Sequence, residues 1–249
     1  MTIQKSEILT SLYNANSCEE KFSILEEVIL DAGFDAVLYS FYPKLSQLAK
    51  SLRPVFQFSN GYASLVEHYQ KHDFSRHDFL IRLLENGETN VMDWWPLAEK
   101  IELSDEEKHV NHIARHKFGI TKGIVFPTLY NDMGVAAVSI ISFKAEDEHR
   151  QIEAKVINEL HSCVRIYHDH MMVNQDDQIQ FILPILELLT PKKKLVIKHL
   201  ISGQPMKNIE GVTERYAEKL LLELRKGFGG ISKNEMIYYL GLINITEYL

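Results

Sequence analysis

At 249 residues the chain is long enough for two domains and a real core, and its 45% hydrophobic and 24% charged residues are those of an ordinary globular protein. It contains no apolar run of roughly 18 residues, the length a membrane span needs. The net charge of −7 conceals an asymmetry: residues 188–249 carry ten Lys or Arg against six Asp or Glu, and the rest carry 17 against 28. A basic tail on an acidic body points to different partners for the two parts.

The opening MTIQKSEILTSLYNANSCEE lacks the basic start and apolar block of a signal peptide. Cys18 and Cys163 belong to no metal or redox spacing. They fit free thiols in a reducing cytoplasm, with a single disulfide left open. Ser17 followed by Glu20 is a capping-box signature, and FSILEEVIL continues at helical spacing towards Gly33, predicting an amphipathic helix over 18–31. FDAVLYSFYP (34–43) and RPVFQFSN (53–60) read as strands, being rich in β-branched and aromatic residues. Residues 61–72 read as a helix, and SDEEKHVNHIARHK (104–117) as another with a serine cap and an acidic first turn. GITKGIVFPTLYNDMGVAAVSIISF (119–143) predicts a strand, an Asn-Asp turn and a second strand. Glu146 to Met172 reads as one long amphipathic helix with Val156, Ile157, Leu160, Val164 and Tyr167 at core spacing. The fold class is therefore α+β, with an antiparallel sheet and helices packed on its faces.

Within this body the stretch 59–95 stands out. Tyr69 precedes Asp78 by nine residues, Asp78 is followed by Phe79, Leu80 and Ile81, and Trp94 and Trp95 adjoin. An acid among apolar neighbours needs hydrogen-bond donors, and aromatics with a few convergent polar groups suit a small-molecule pocket. The plainer alternative is a helix packed on a sheet through Leu65, Val66 and Tyr69, with Asp78 as a surface helix cap. His109, His112 and His116 share a helical face, and His168 and His170 flank Asp169, but neither set has a standard ligand spacing and no metal is expected. No phosphate-binding glycine loop or nucleophile signature is present, so nothing supports an enzyme.

The polar NQDDQ (174–178) marks a linker, giving an expected body of 1–173, a linker of 174–187 and a tail of 188–249. The tail has helix-turn-helix rhythm, with four short helices filling 179–249. Thr190 caps a helix with Val196, Ile197 and Leu200 facing inward, and Gly203 ends it. Pro205 suits the first position of a short second helix ended by Gly211. Thr213 caps a third helix carrying Arg215, Lys219, Arg225 and Lys226, a set able to meet phosphates and base edges in a major groove, with Lys192 and Lys207 as further phosphate contacts. The alternative is a helical dimerisation bundle with solvated lysines.

Over nearly its whole length the chain resembles the LuxR-type quorum-sensing transcription regulators. The resemblance lies in SNGYASLVEHYQKHDFSRHD, the Trp94 region, HKFGITKGIVFP and GVAAVSI, and in the tail in LTPKKKLVIKHLISGQ and the closing Gly-Leu-Ile. It implies an α-β-α sandwich holding an acyl-homoserine lactone and a homodimer on double-stranded DNA, with no cofactor. Carried over, Tyr69 would donate its hydroxyl to the acyl carbonyl and Asp78 would accept the amide N–H. Trp94 or Trp95 would pack on the lactone ring, and Ser139 and Tyr62 would complete the pocket. Leu65 stands where the family usually has a lactone-binding tryptophan, and Phe79 where it has a proline, so a different acylated ligand is also open. In the tail Lys193 replaces a capping glutamate, Tyr216-Ala217 a Thr-Val pair and Leu220 a histidine, and the chain is about three residues short between Ile209 and Val212. These departures leave a second reading, a related protein with a degenerate DNA-binding domain acting by ligand sequestration or by heterodimerisation with a related regulator.

Overall fold

The computed structural model describes residues 5–44, 54–144 and 154–249. The sheet has five strands, β1 (Ala36–Pro43), β2 (Val55–Phe58), β3 (Met92–Asp93), β4 (Lys122–Asn131) and β5 (Gly134–Ser142), in the order β2-β1-β5-β4-β3. β3 runs antiparallel to β4, with Met92 opposite Val125. β5 and β1 are tied at both ends, by Asp35 N–H to the Ile141 carbonyl and Lys44 N–H to that of Met133. Gly134 begins β5 because a Cβ there would lie 2.2 Å from the Tyr42 carbonyl oxygen.

Helices α1 (Lys5–Asn14), α2 (Cys18–Asp31) and α7 (Ala154–Val173) pack together. Four shorter helices, α3 (Ala63–Lys71), α4 (Phe79–Glu85), α5 (Trp94–Ala98) and α6 (Asp105–His112), lie between β2 and β4 in the chain, and α6 runs on through a π turn at Ile113–Lys117. The caps explain several boundaries. Ser17 accepts from Glu20 N–H, but the Glu20 carboxylate reaches the Asn16 amide instead of closing a box on Ser17. Ser104 and Glu107 do form a full capping box. The expected start of the long helix at Glu146 lies outside the described residues; Leu160, Val164 and Tyr167 are buried as the periodicity predicts.

The expected linker is instead helical, as α8 (Gln175–Leu186). One acid of NQDDQ is an internal anchor. Asp177 is buried, with its Oδ2 2.5 Å from the equally buried Lys21 ammonium and its Oδ1 accepting the Cys18 thiol at 3.0 Å. That setting pushes the Cys18 thiol up to about 12, by burial first and then by the Asp177 hydrogen bond and charge, which leaves it a poor nucleophile. Both cysteines are free and buried.

Contacts divide the chain into two compact units, one of Met1–Ser40, Phe56–Tyr130 and Val135–Gln178, the other of Phe41–Val55, Asn131–Gly134 and Ile179–Leu249. The second contains α9 (Pro191–Ile201), α10 (Glu214–Gly227) and α11 (Lys233–Leu242). Over 179–249, where four short helices were expected, lie the end of α8, then α9, α10 and α11, with 3-10 turns at Met206–Asn208 and Ile245–Tyr248. The predicted helix at Pro205 is a single 3-10 turn, Met206–Asn208, because Ile209 is already extended and Gly211 is left-handed at φ +70.

His168 on α7 is buried against β1, its Nδ1 2.9 Å from the Tyr39 hydroxyl. Burial lowers its pKa from 6.5 to about 4, so the folded protein keeps it neutral while the unfolded chain takes up a proton below pH 6.5. The folded pKa is the lower one, so stability is lost as pH falls through that window, by about 2.5 kcal/mol near pH 4.5. Urea melts at pH 7 and 4.5 should show a smaller loss for His168→Gln than for the native chain. An equal loss would assign the acid sensitivity to other groups.

Candidate functional site

The helical face of α3 and the turn before it carries Tyr62, Leu65, Val66 and Tyr69, spaced three or four residues apart. Tyr62, Leu65 and Val66 are buried and Tyr69 is half-buried. The Tyr62 hydroxyl lies 2.8 Å from Ser139 Oγ on β5, so two of the expected pocket residues are joined directly. Tyr69 Oη donates to Asp78 Oδ2 at 2.7 Å. Its ring meets Phe56 of β2 and Phe74 edge-on, at centroid distances of 6.4 and 6.0 Å.

Asp78 is both a helix cap and a partly buried acid. It is the N-cap of α4, its Oδ1 accepting the Leu80 N–H at 2.8 Å, and it is also half-buried facing Tyr69. Burial raises its pKa, and the nearby Glu107 charge adds to that, against hydrogen bonds from Tyr69, Leu80 and Ile81 that lower it. A carboxylate has about four lone-pair positions. Those three donors leave about one position for a further N–H or O–H.

The Tyr69 hydroxyl is already engaged in this geometry. A phenol has a single proton, and that of Tyr69 is held by Asp78. Donation to an acyl carbonyl would require that bond to break.

Trp94 and Trp95 stack with ring centroids 5.0 Å apart but have different surroundings. Trp94 packs on β4 at Gly123, where an added Cβ would sit 2.2 Å from its ring, and its indole N–H donates to Asn111 at 3.2 Å. Trp95 lines a separate hollow of about 200 Å³ with Arg115, whose guanidinium lies 5.3 Å over its ring. A second hollow, of about 330 Å³, is lined by His72, Phe74, His77, His109 and Val110 with Asp105 and Glu106. Sequence reasoning missed Phe74, Asn111 and Arg115. Lys108, Asn111 and Arg115 are at helical spacing, so they could have been read as one face.

The histidines of α6 and its π turn diverge: the His112 and His116 rings lie tilted with centroids 4.4 Å apart, while His109 meets Phe74. Among the described residues no three His, Cys, Asp or Glu side chains are arranged to hold a metal ion. No described helix is long and apolar enough to cross a membrane.

In the second unit Arg215, Lys219, Lys226, Lys192 and Lys207 are exposed. Lys219 pairs with Glu223 at 3.8 Å, and Lys192 sits 5.2 Å over the Tyr216 ring. Arg225 differs from this set, because its Nε donates to the Ile231 carbonyl at 2.8 Å across the Gly229-Gly230 turn. The lysine cluster at the N-terminus of α9 is tolerated because two members turn inward, Lys193 to the Leu188 carbonyl and Lys194 to that of Tyr248. Ala217 and Leu220 are buried with Val196, Ile209 and Val212, so these two departures from the family pattern fill a core.

Residues 17–171 match the family model described as the autoinducer binding domain. No curated protein sequence matches the chain. Among solved structures, Escherichia coli SdiA is similar at a TM-score of 0.57 and 15% identity, covering 96% of each chain. SdiA in complex with octanoyl-rac-glycerol gives 0.58 and 15%, covering 96% of this chain and 95% of that one. The N-acylhomoserine lactone dependent LuxR family transcription factor CepR2 of Burkholderia cenocepacia gives 0.51 and 14%, covering 68% and 93%. With more than half of its length matched by that model, the chain belongs to the autoinducer binding domain family.

Proposed function

We propose that this protein is a cytoplasmic LuxR-type transcription regulator whose body binds an acyl-homoserine lactone or a related acyl signal and whose basic tail binds double-stranded DNA as a homodimer. The observation that carries the ligand reading is Asp78, half-buried and held by Tyr69 and two backbone amides with room for about one more donor. An amide N–H or a hydroxyl on an acylated head group would meet that acceptor. Leu65 offers no hydrogen bond to a lactone carbonyl, which favours a head group other than the lactone. SdiA holding an octanoyl glycerol supports such a ligand. Ligand occupancy would stabilise the folded body and bias the dimer that sets two recognition helices on successive major grooves.

Arg215, Lys219, Lys226, Lys192 and Lys207 are the exposed cations for DNA. A second reading has its own support. The helix before α10 is reduced to one 3-10 turn, and Arg225 and Lys193 are spent on carbonyls within the unit. In that reading the protein sequesters ligand or pairs with a related regulator without binding DNA itself.

Mass spectrometry of the small molecule that co-purifies with the protein tests the ligand reading, with an acylated molecule expected and loss of it in Asp78→Asn. Recovery of no acylated molecule from cells that make such signals would count against it. A gel shift on genomic fragments at low and moderate salt separates the two tail readings. A DNA binder shows retention that falls steeply with salt and is lost in Arg215→Ala with Lys219→Ala. No retention at low salt would favour sequestration or mixed dimers.

A further inference from the structure

We propose that Glu107, balanced by Arg82, sets the charge state of Asp78 and so the pH range over which the site accepts an N–H donor from a ligand. The inference deepens the ligand reading above and rests on it. Glu107 and Arg82 are in this sense positioning residues, acting through Asp78.

Glu107 is a buried carboxylate, 7% exposed, in the first turn of α6. It accepts from Arg82 Nε at 2.5 Å, from Arg82 Nη2 at 3.2 Å and from the Ser104 N–H at 2.8 Å. Arg82 lies one turn beyond Asp78, its own N–H on the Asp78 carbonyl at 3.1 Å. The cation that balances Glu107 is thus carried on the helix that Asp78 caps. When two acids lie close in a poorly solvated place, the one with the weaker donors takes up a proton first. Burial works to raise the Glu107 pKa, yet hydrogen bonds from Arg82 and Ser104, with the charges of Arg82 and His77, hold it below the usual value. Asp78 has a phenol and backbone amides instead of a guanidinium, and burial followed by the Glu107 charge raises its pKa. Tyr62 and Tyr69, both phenols, face Asp78 from the other side. An ionised Asp78 accepts an amide N–H, whereas a protonated one has an O–H to donate and suits a ligand oxygen. Loss of the Glu107 charge should therefore ease ionisation of Asp78, and loss of Arg82 should hinder it.

Carboxyl-carbon NMR of the full chain without ligand reads this directly, the Asp78 signal being assigned by its loss in Asp78→Asn. Glu107→Gln should move the Asp78 midpoint down by at least about half a pH unit and Arg82→Gln should move it up, while Arg82→Lys, which keeps the cation, stays near the native value. Glutamine also serves at this position of a capping box, its amide oxygen taking the Ser104 N–H, and the 44% exposed Arg82 side chain can turn its freed Nε to water. Should Arg82→Gln fail to fold, Glu107→Gln decides alone. Calorimetric titration with N-octanoyl-homoserine lactone across the same pH range should show affinity lost at a lower pH in Glu107→Gln and at a higher pH in Arg82→Gln. A pair that serves the fold alone would lower the melts and leave the Asp78 midpoint in place, or move it the same way in both variants; either result overturns the proposal. So does a midpoint that moves as expected while the pH dependence of lactone binding stays fixed. Shifted midpoints with no lactone bound by any of the proteins would contradict the ligand reading and leave the control of Asp78 by Glu107 and Arg82 standing.

Discussion

Asp78→Asn should weaken an amide-bearing acyl ligand by roughly 10- to 150-fold, the worth of about 1.5–3 kcal/mol for a hydrogen bond to a charged acceptor. The fold should survive, because asparagine caps a helix as well as aspartate does, and its Nδ2 in the place of Oδ2 can donate to the Tyr69 hydroxyl oxygen. Burial raises the pKa of Asp78, so ionising it works against the folded state, and the neutral amide should melt no lower than the native chain. Calorimetric titration with an N-acyl amide, beside a thermal melt of each protein, reads both quantities. Unchanged affinity would reduce Asp78 to a helix cap. Lost affinity together with a collapsed melt would mean that the carboxylate serves the fold.

Lys21→Met should cost about 3–5 kcal/mol of stability, the usual penalty for leaving a buried charge without its partner. Lys21 and Asp177 are 4% and 3% exposed and 2.5 Å apart, so solvent screens the pair little. The Cys18 thiol that also touches Asp177 is too weak a donor to replace an ammonium. The double variant Lys21→Met with Asp177→Leu should recover most of the loss, since a buried pair exchanged for apolar groups is often neutral or better. Guanidinium melts of the native, single and double variants check this. A single variant as stable as the native protein would mean the pair contributes only position.

The contrast between these two sites shows what was legible in the sequence. Local signals were readable: the serine caps at 17 and 104, the Asn-Asp turn between β4 and β5, and the stripe through Tyr62, Leu65 and Tyr69 all follow from short-range stereochemistry. Tyr69 and Asp78 were readable as a pair because nine residues and one turn bring them together. Asp177 was not, because its partners Cys18 and Lys21 are more than 150 residues away, and a buried acid and a linker acid look alike in one dimension. The register of the tryptophans was hidden for a similar reason, since it takes Gly123 and Asn111 to show that Trp94 is the one packed on the sheet. In the tail, charge was visible and its use was not. Arg225 counted as a cation for DNA, and only the structure shows its Nε on the Ile231 carbonyl, as it shows Lys193 and Lys194 on carbonyls of their own.

The most direct test of the central claim, that an acylated signal binds within the body on Asp78, is a thermal melt across a panel of acyl-homoserine lactones, acyl glycerols and bacterial extracts. A ligand that binds only the folded state, at a hundred times its dissociation constant, adds about 2.7 kcal/mol and should raise the midpoint by roughly 5–10 °C. The account predicts such a rise for at least one acylated compound, and a much smaller one in Asp78→Asn. A midpoint fixed across the whole panel, or one that rises equally in both proteins, would contradict it.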